Sequence, residues 1–145
     1  MRISLGEPHH GWLPVKIKTQ NDGVEFEASD VPVDPLLLTE SLISAIKGND
    51  YEVWWHLEPG GYYLAINNKN GCYEVSLSFS QDSSSNKREQ LFVIEGTAED
   101  TIIPMWRTLK EFYSHGYQEP HWPEHDETEL EKLTVLIKQL KSKKA

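Results

Sequence analysis

The sequence predicts an α+β fold: an antiparallel sheet of about six strands, built as hairpins and a meander, with three helices packed on it. Three observations carry this expectation. Apolar residues recur with period two over residues 50–80, the mark of strands with one buried face. Turn signals rich in glycine and asparagine separate the runs. Elsewhere three stretches repeat their apolar residues at helical spacing. At 145 residues the chain fits one domain, 1–145, able to bury roughly two-thirds of the surface its unfolded form exposes.

The meander is the clearest part. Tyr51, Val53, Trp55 and Leu57 point one way, and Glu52, Trp54, His56 and Glu58 the other. Tyr62, Leu64 and Ile66 then alternate with Tyr63, Ala65 and Asn67, and Tyr73, Val75, Leu77 and Phe79 with Cys72, Glu74, Ser76 and Ser78. Pro59-Gly60-Gly61 and Asn70-Gly71 supply the turns, because glycine and asparagine tolerate the positive φ of tight hairpins. Upstream, Leu13, Val15 and Ile17 alternate with Pro14, Lys16 and Lys18, and Asn21-Asp22-Gly23 leads into Val24, Phe26 and Ala28 alternating with Glu25 and Glu27. That is a second hairpin, with two lysines expected across from two glutamates. Leu91 and Val93 oppose Phe92 and Ile94, apolar on both sides, which predicts a central strand covered on both faces.

The first helix opens at Asp34-Pro35, where Asp34 can cap free N–H groups, Pro35 suits the first helical position and Val33 can staple against Leu38. Leu38, Leu42, Ala45 and Ile46 form its apolar stripe, Thr39, Glu40, Ser44 and Lys47 lie outside it, and Gly48 ends it. A second helix over residues 101–115 aligns Ile102, Trp106, Leu109 and Tyr113, widened by Met105 and Phe112, with Pro104 in its first turn and Gly116 as the stop. The third, 126–142, starts on a capping-box-like Asp126 and Glu129, with acids in its first turn and lysines in its last, as the helix dipole favours. Its row of Leu130, Leu133, Ile137 and Leu140 spans only two heptads, so it is expected to pack onto the domain and leave a monomer rather than form a dimer seam. Residues 81–88, serine-rich with Lys87 and Arg88 at the end, read as a mobile polar loop.

Charge bears on partners. The chain has net charge -9, and its last twenty residues hold four acids and five lysines, leaving the remainder more acidic still. Nucleic acid and anionic membranes bind through Lys and Arg, so neither is an expected partner, whereas a basic protein would be drawn in. One cysteine, Cys72, excludes an intrachain disulfide, and no apolar run resembles a signal peptide or a membrane-spanning helix. A cytoplasmic location is expected.

Catalytic and cofactor signatures are missing. There is no HExxH, GxSxG, GxGxxG or Walker spacing, and Cys72 sits at a regular strand position. His121 and His125 are four apart, but Pro123 disfavours the helix that would align them, and His9 and His10 are splayed apart if extended. No metal, no cofactor and no enzyme activity are therefore expected, although a carboxylate or histidine site assembled only by the fold, making a small enzyme, stays open. The better-supported surface is the strand face carrying Glu52, Trp54, His56, Glu58, Tyr63 and Glu74, acids with aromatics set among them, as protein interfaces favour. The same face could stack bases as a single-strand nucleic-acid binder, against the charge balance. A helix covering that face, with Trp54 in the core, is the competing expectation.

His10-Gly11-Trp12-Leu13-Pro14-Val15, then Ser29-Asp30-Val31-Pro32-Val33-Asp34-Pro35-Leu36 leading into a leucine-rich helix, then Val53-Trp54-Trp55-His56-Leu57-Glu58-Pro59-Gly60-Gly61-Tyr62, resemble small immunity proteins of bacterial polymorphic toxin systems, in particular those of contact-dependent growth inhibition. The resemblance covers residues 9–115. It implies a cytosolic, non-enzymatic inhibitor that binds the carboxy-terminal toxin domain of a cognate exported protein. Many such toxins are basic nucleases, and a ribosomal-RNA nuclease is one candidate. The family shares no catalytic motif and varies in its partner contacts, so the resemblance assigns no residue a role.

Overall fold

Alternating side chains become two layers only when neighbouring strands pair in a register that keeps like residues on one face, and the computed structural model achieves this in two separate sheets. It describes residues 1–29, 34–57, 60–81, 87–123 and 127–143. The first sheet holds β1 (Arg2–Leu5), β2 (Trp12–Lys18) and β3 (Gly23–Ser29), in that order and antiparallel. Helix α1 (Asp34–Ile46) follows. The second sheet is a meander of β4 (Tyr51–His56), β5 (Gly61–Lys69), β6 (Cys72–Ser80) and β7 (Glu89–Gly96). Helices α2 (Ile102–Ser114) and α3 (Thr128–Lys143) complete the chain.

Among the described residues the fold is thus α+β with three helices, as the sequence indicates, but the strands there number seven and lie in sheets of three and four. Two causes account for the difference from one six-stranded sheet. Arg2–Leu5 carries too few residues to show a period, yet it pairs along β2 and places Ile3 fully inside. Between β3 and β4 there is no ladder among the described residues. Aromatic packing joins the sheets there: the Phe26 ring of β3 stacks on Tyr62 at 4.5 Å and meets Trp55 edge-on at 6.0 Å.

In the four-stranded sheet Val53, Leu64, Leu77 and Phe92 stand directly opposite one another across successive strands, and Val53, Leu64 and Leu77 have no exposed surface. Tyr51, Ile66, Val75 and Ile94 form the next row. All three helices and the buried faces of both sheets contribute to one hydrophobic cluster. Asn70 (φ 56) and Gly71 (φ 88) make the β5–β6 turn with positive φ at both positions, as a two-residue type I′ hairpin requires, and the Asn68 side chain accepts the Gly71 N–H at 2.9 Å.

Helix α1 and strand β7 depart from their sequence patterns. In α1, Leu38, Leu42 and Ala45 are fully buried, but so is Thr39, which the stripe excludes. The helix packs against α2 and α3 as well as β4 and β5, so its buried arc is wider than one stripe, and Thr39 satisfies its hydroxyl on the Pro35 carbonyl at 2.8 Å. β7 is the edge of its sheet rather than a central strand: Phe92 and Ile94 face the core, and Val93 is 44% exposed on the other side. In α2, Ile102, Met105, Trp106, Leu109 and Phe112 are buried, and in α3 Leu130, Leu133 and Ile137 pack into the same core. The Asp34 side chain, Val33, Asp126 and residues 82–86 lie outside what is described. No helix among the described residues is long and apolar enough to cross a membrane.

Leu64 sits at the centre of the buried row and Val135 is 55% exposed on α3. Leu64→Ala is expected to cost about 2–5 kcal/mol in urea unfolding. Val135→Ala should stay within about 0.5 kcal/mol of the parent in the same measurement.

Candidate functional site

The pairing that buries Val53 and Leu64 turns Trp54 and Tyr63 the other way, so the outer face of the four-stranded sheet carries the polar half of each strand. Its rows run Glu52–Ala65–Ser76–Val93, then Trp54–Tyr63–Ser78, with Asn67, Glu74 and Glu95 at the far end. Glu52 and Val93 are exposed and Trp54, Ala65, Ser76 and Ser78 are half-buried, so this face is open to solvent and Trp54 is not core. Glu52, Trp54, His56 and Tyr63 come together. Glu74, opposite Asn67 and four residues along β5 from Tyr63, stands about 13 Å from them. Glu58 lies outside the described residues.

Trp54 organises the cluster. Its ring leans on Tyr63 at 4.7 Å between centroids and on His56 at 6.0 Å, and its indole N–H donates to His56 Nδ1 at 3.1 Å. That bond requires a lone pair on Nδ1 and puts the proton of a neutral ring on Nε2. Gly61 makes room for the indole: a Cβ there would stand 2.5 Å from Trp54 Cη2 and Cζ2 and closer still to the Trp55 carbonyl oxygen. The Trp54 ring therefore lies over a backbone position where no side chain fits.

Arg88 is the residue the sequence reading missed. Grouped with a solvated loop, it instead lays its guanidinium over the Tyr63 ring at 3.6 Å and donates to Glu52 Oε2 at 2.6 Å. Tyr63 beneath it is 8% exposed, so the groups of the cluster that meet solvent are Arg88, Glu52, Trp54 and His56. The signal for this was slight, a single arginine at the entrance to β7. The hydrogen bond to Glu52 raises the guanidinium pKa beyond its already high value.

The acids of this face are not a bare negative field. Glu52 is paired with Arg88, and Glu74 accepts a hydrogen bond from Lys69 at 2.7 Å. That bond holds the Glu74 carboxyl below its ordinary value and raises the Lys69 ammonium. On the other sheet Lys16 and Glu25 are directly opposite and bonded at 2.9 Å, while Lys18 faces Gly23 and Glu27 faces Pro14, so one of the two expected lysine–glutamate pairs forms. An open groove of about 530 Å³ lies there, lined by Leu5, Pro14, Val15, Lys16, Glu25 and Phe26 among others. Its charged groups are Lys16 and Glu25, which pair with each other, and Glu27, and no histidine lines it.

Among the histidines the fold does what adjacency did not suggest. His9 and His10 are not extended: His10 (φ 49) and Gly11 (φ 83) are the central pair of a tight turn, closed by His9 N–H to Trp12 O at 2.8 Å and Trp12 N–H to His9 O at 3.0 Å. The two rings lie 4.3 Å apart, and His121 joins them from the far end of the chain. His125 lies outside the described residues.

Arg88→Ala is expected to lower stability by about 1 kcal/mol, since a half-exposed ion pair and one cation–π contact are each worth less than that. In a double-mutant cycle with Tyr63→Leu, followed by urea unfolding, only the cation–π share of the loss should vanish, the Glu52 pair remaining. For Glu74, carbon-detected NMR titration should find the carboxyl below 4.5, and Lys69→Met should return it upward.

Comparison of the chain with protein-family models, with curated proteins and with solved structures found no match.

Proposed function

We propose that this chain is a non-enzymatic inhibitor that binds a basic protein domain through the outer face of its four-stranded sheet, in the manner of the toxin-immunity proteins it resembles. One observation carries the reading. A sheet face left uncovered by all three helices presents Trp54, His56 and Arg88 as a packed cluster flanked by carboxylates. Trp, Tyr and Arg are the residues that dominate binding energy at protein interfaces. The cluster is held in place by Tyr63 beneath it and Gly61 under the indole, so little side-chain freedom is left to lose on binding.

Electrostatics acts at two ranges. At a distance the net charge of -9 draws in a cationic partner and speeds encounter. In contact, Glu52 and Glu74 each hold a cation of this chain, and a lysine or arginine of the partner can compete for either carboxylate. A standard interface takes about 800 Å² from each side, roughly a tenth of the 8034 Å² exposed here, which one sheet face can supply. The cognate partner under this reading is the carboxy-terminal toxin domain of an exported protein, a basic nuclease, from which the acids exclude substrate phosphates.

Two rival functions have less support. Stacking bases on Tyr63 would require displacing Arg88 from its ring, and the groove on the three-stranded sheet offers a lysine–glutamate pair and Glu27 but no histidine.

The test is to mix the full chain with the toxin domain encoded beside it. A one-to-one complex tighter than micromolar is expected, with an association rate that falls as salt rises. Trp54→Ala should weaken it at least tenfold, and Lys138→Ala on α3 should leave it unchanged. Absence of a complex at micromolar concentration, or equal effects of the two substitutions, overturns the proposal.

A further inference from the structure

The turn at residues 9–12 and the loop at 117–123 belong to opposite ends of the sequence and meet edge to edge. Gly11 N–H donates to the His121 carbonyl at 2.7 Å, and His10 N–H to His121 Nδ1 at 3.3 Å. The next residue, Trp122, is 1% exposed and packs near Phe112, while the backbone N–H groups of His121 and Trp122 both bond to Gln118 O. The loop is therefore anchored in the core on one side of His121 and hydrogen-bonded to the turn on the other. His9, His10 and His121 converge as a consequence. Their ring centroids are separated by 4.3, 5.5 and 4.8 Å, and one ring nitrogen from each lies within 4.8 Å of the others.

We propose that these three histidines bind a divalent first-row transition cation of the zinc class, clamping the 9–12 turn to the 117–123 loop. Three imidazoles without a thiolate or a carboxylate cage suit Zn²⁺, Co²⁺, Ni²⁺ or Cu²⁺ and not Mg²⁺ or Ca²⁺, which prefer oxygen. Zinc–nitrogen bonds of about 2.0–2.1 Å place tetrahedral ligand atoms about 3.4 Å apart, so the rings close inward by about an ångström from where they stand. Their position at the surface permits that rotation. Three protein ligands leave the fourth position to solvent or to a group from another molecule.

Loading the site has one defined structural consequence. A neutral imidazole has a single lone pair in its ring plane. If His121 ligates through Nδ1, the metal displaces the His10 amide from that lone pair. If it ligates through Nε2, the ring proton moves to Nδ1, which then cannot accept. Either way the 3.3 Å hydrogen bond is exchanged for a metal bond, and the His10 amide turns to water. The Gly11 N–H to His121 carbonyl bond is unaffected, so the two segments stay joined throughout.

The experiment uses the full chain without an affinity tag, stripped with chelator and titrated with Zn²⁺ by calorimetry and with Co²⁺ by visible absorption. One ion per chain at micromolar affinity is expected, with a Co²⁺ spectrum of low coordination number and a thermal midpoint raised by several degrees in excess metal. The His10 amide resonance should move on adding Zn²⁺ while that of Gly11 moves less. His9→Ala, His10→Gly and His121→Ala should each weaken binding at least tenfold, and His115→Ala should not. His10→Gly removes the ring but suits the positive φ of the turn, so it remains informative even where His121→Ala impairs folding. No binding at millimolar Zn²⁺, or binding undiminished by His9→Ala and His10→Gly, overturns the site.

Discussion

Everything on the outer face depends on the register of the β4–β5 pairing. Side chains alternate strictly along a strand, so placing Val53 against Leu64 also places Trp54 against Tyr63. A one-residue slip would drive Trp54 and Glu52 into the core and push Val53 and Trp55 out, exchanging an apolar interior for a charged one. The hydrophobic row Val53–Leu64–Leu77–Phe92 thus specifies the surface cluster as firmly as it specifies the core. The type I′ turn at Asn70-Gly71 supports the same register from the β5–β6 end.

On that surface, charge has a different meaning at long and short range. Summed over the chain it is strongly negative, which governs encounter and solubility. Residue by residue, Glu52 and Glu74 of the sheet face are paired with Arg88 and Lys69, so contact chemistry there includes ion pairs and aromatic faces as well as acids. Half-exposed pairs of this kind contribute little to folding, and their partners can be exchanged. Stability resides in the buried rows.

The three-histidine cluster belongs to a different part of the molecule and arises from a different cause. It requires a turn with positive φ at His10 and a loop anchored by Trp122, neither of which involves the sheet face. Both sites share one feature: each is held from below by a large buried or nearly buried aromatic, Tyr63 in one and Trp122 in the other.

Period-two alternation and turn residues were sufficient to read off six strands and the two faces of the meander, but not which face a helix covers. Helical spacing likewise located three helices to within a residue or two. These properties are local, encoded by neighbours a few positions apart, and they survive whatever the chain does at longer range. Tertiary structure alone decided that the strands divide into two sheets, that β7 is an edge, that Arg88 covers Tyr63, and that His9, His10 and His121 meet. Each of these joins residues far apart in the chain, or depends on a turn conformation that places adjacent side chains together, and no periodicity in a single sequence records which distant segments the common core will bring into contact.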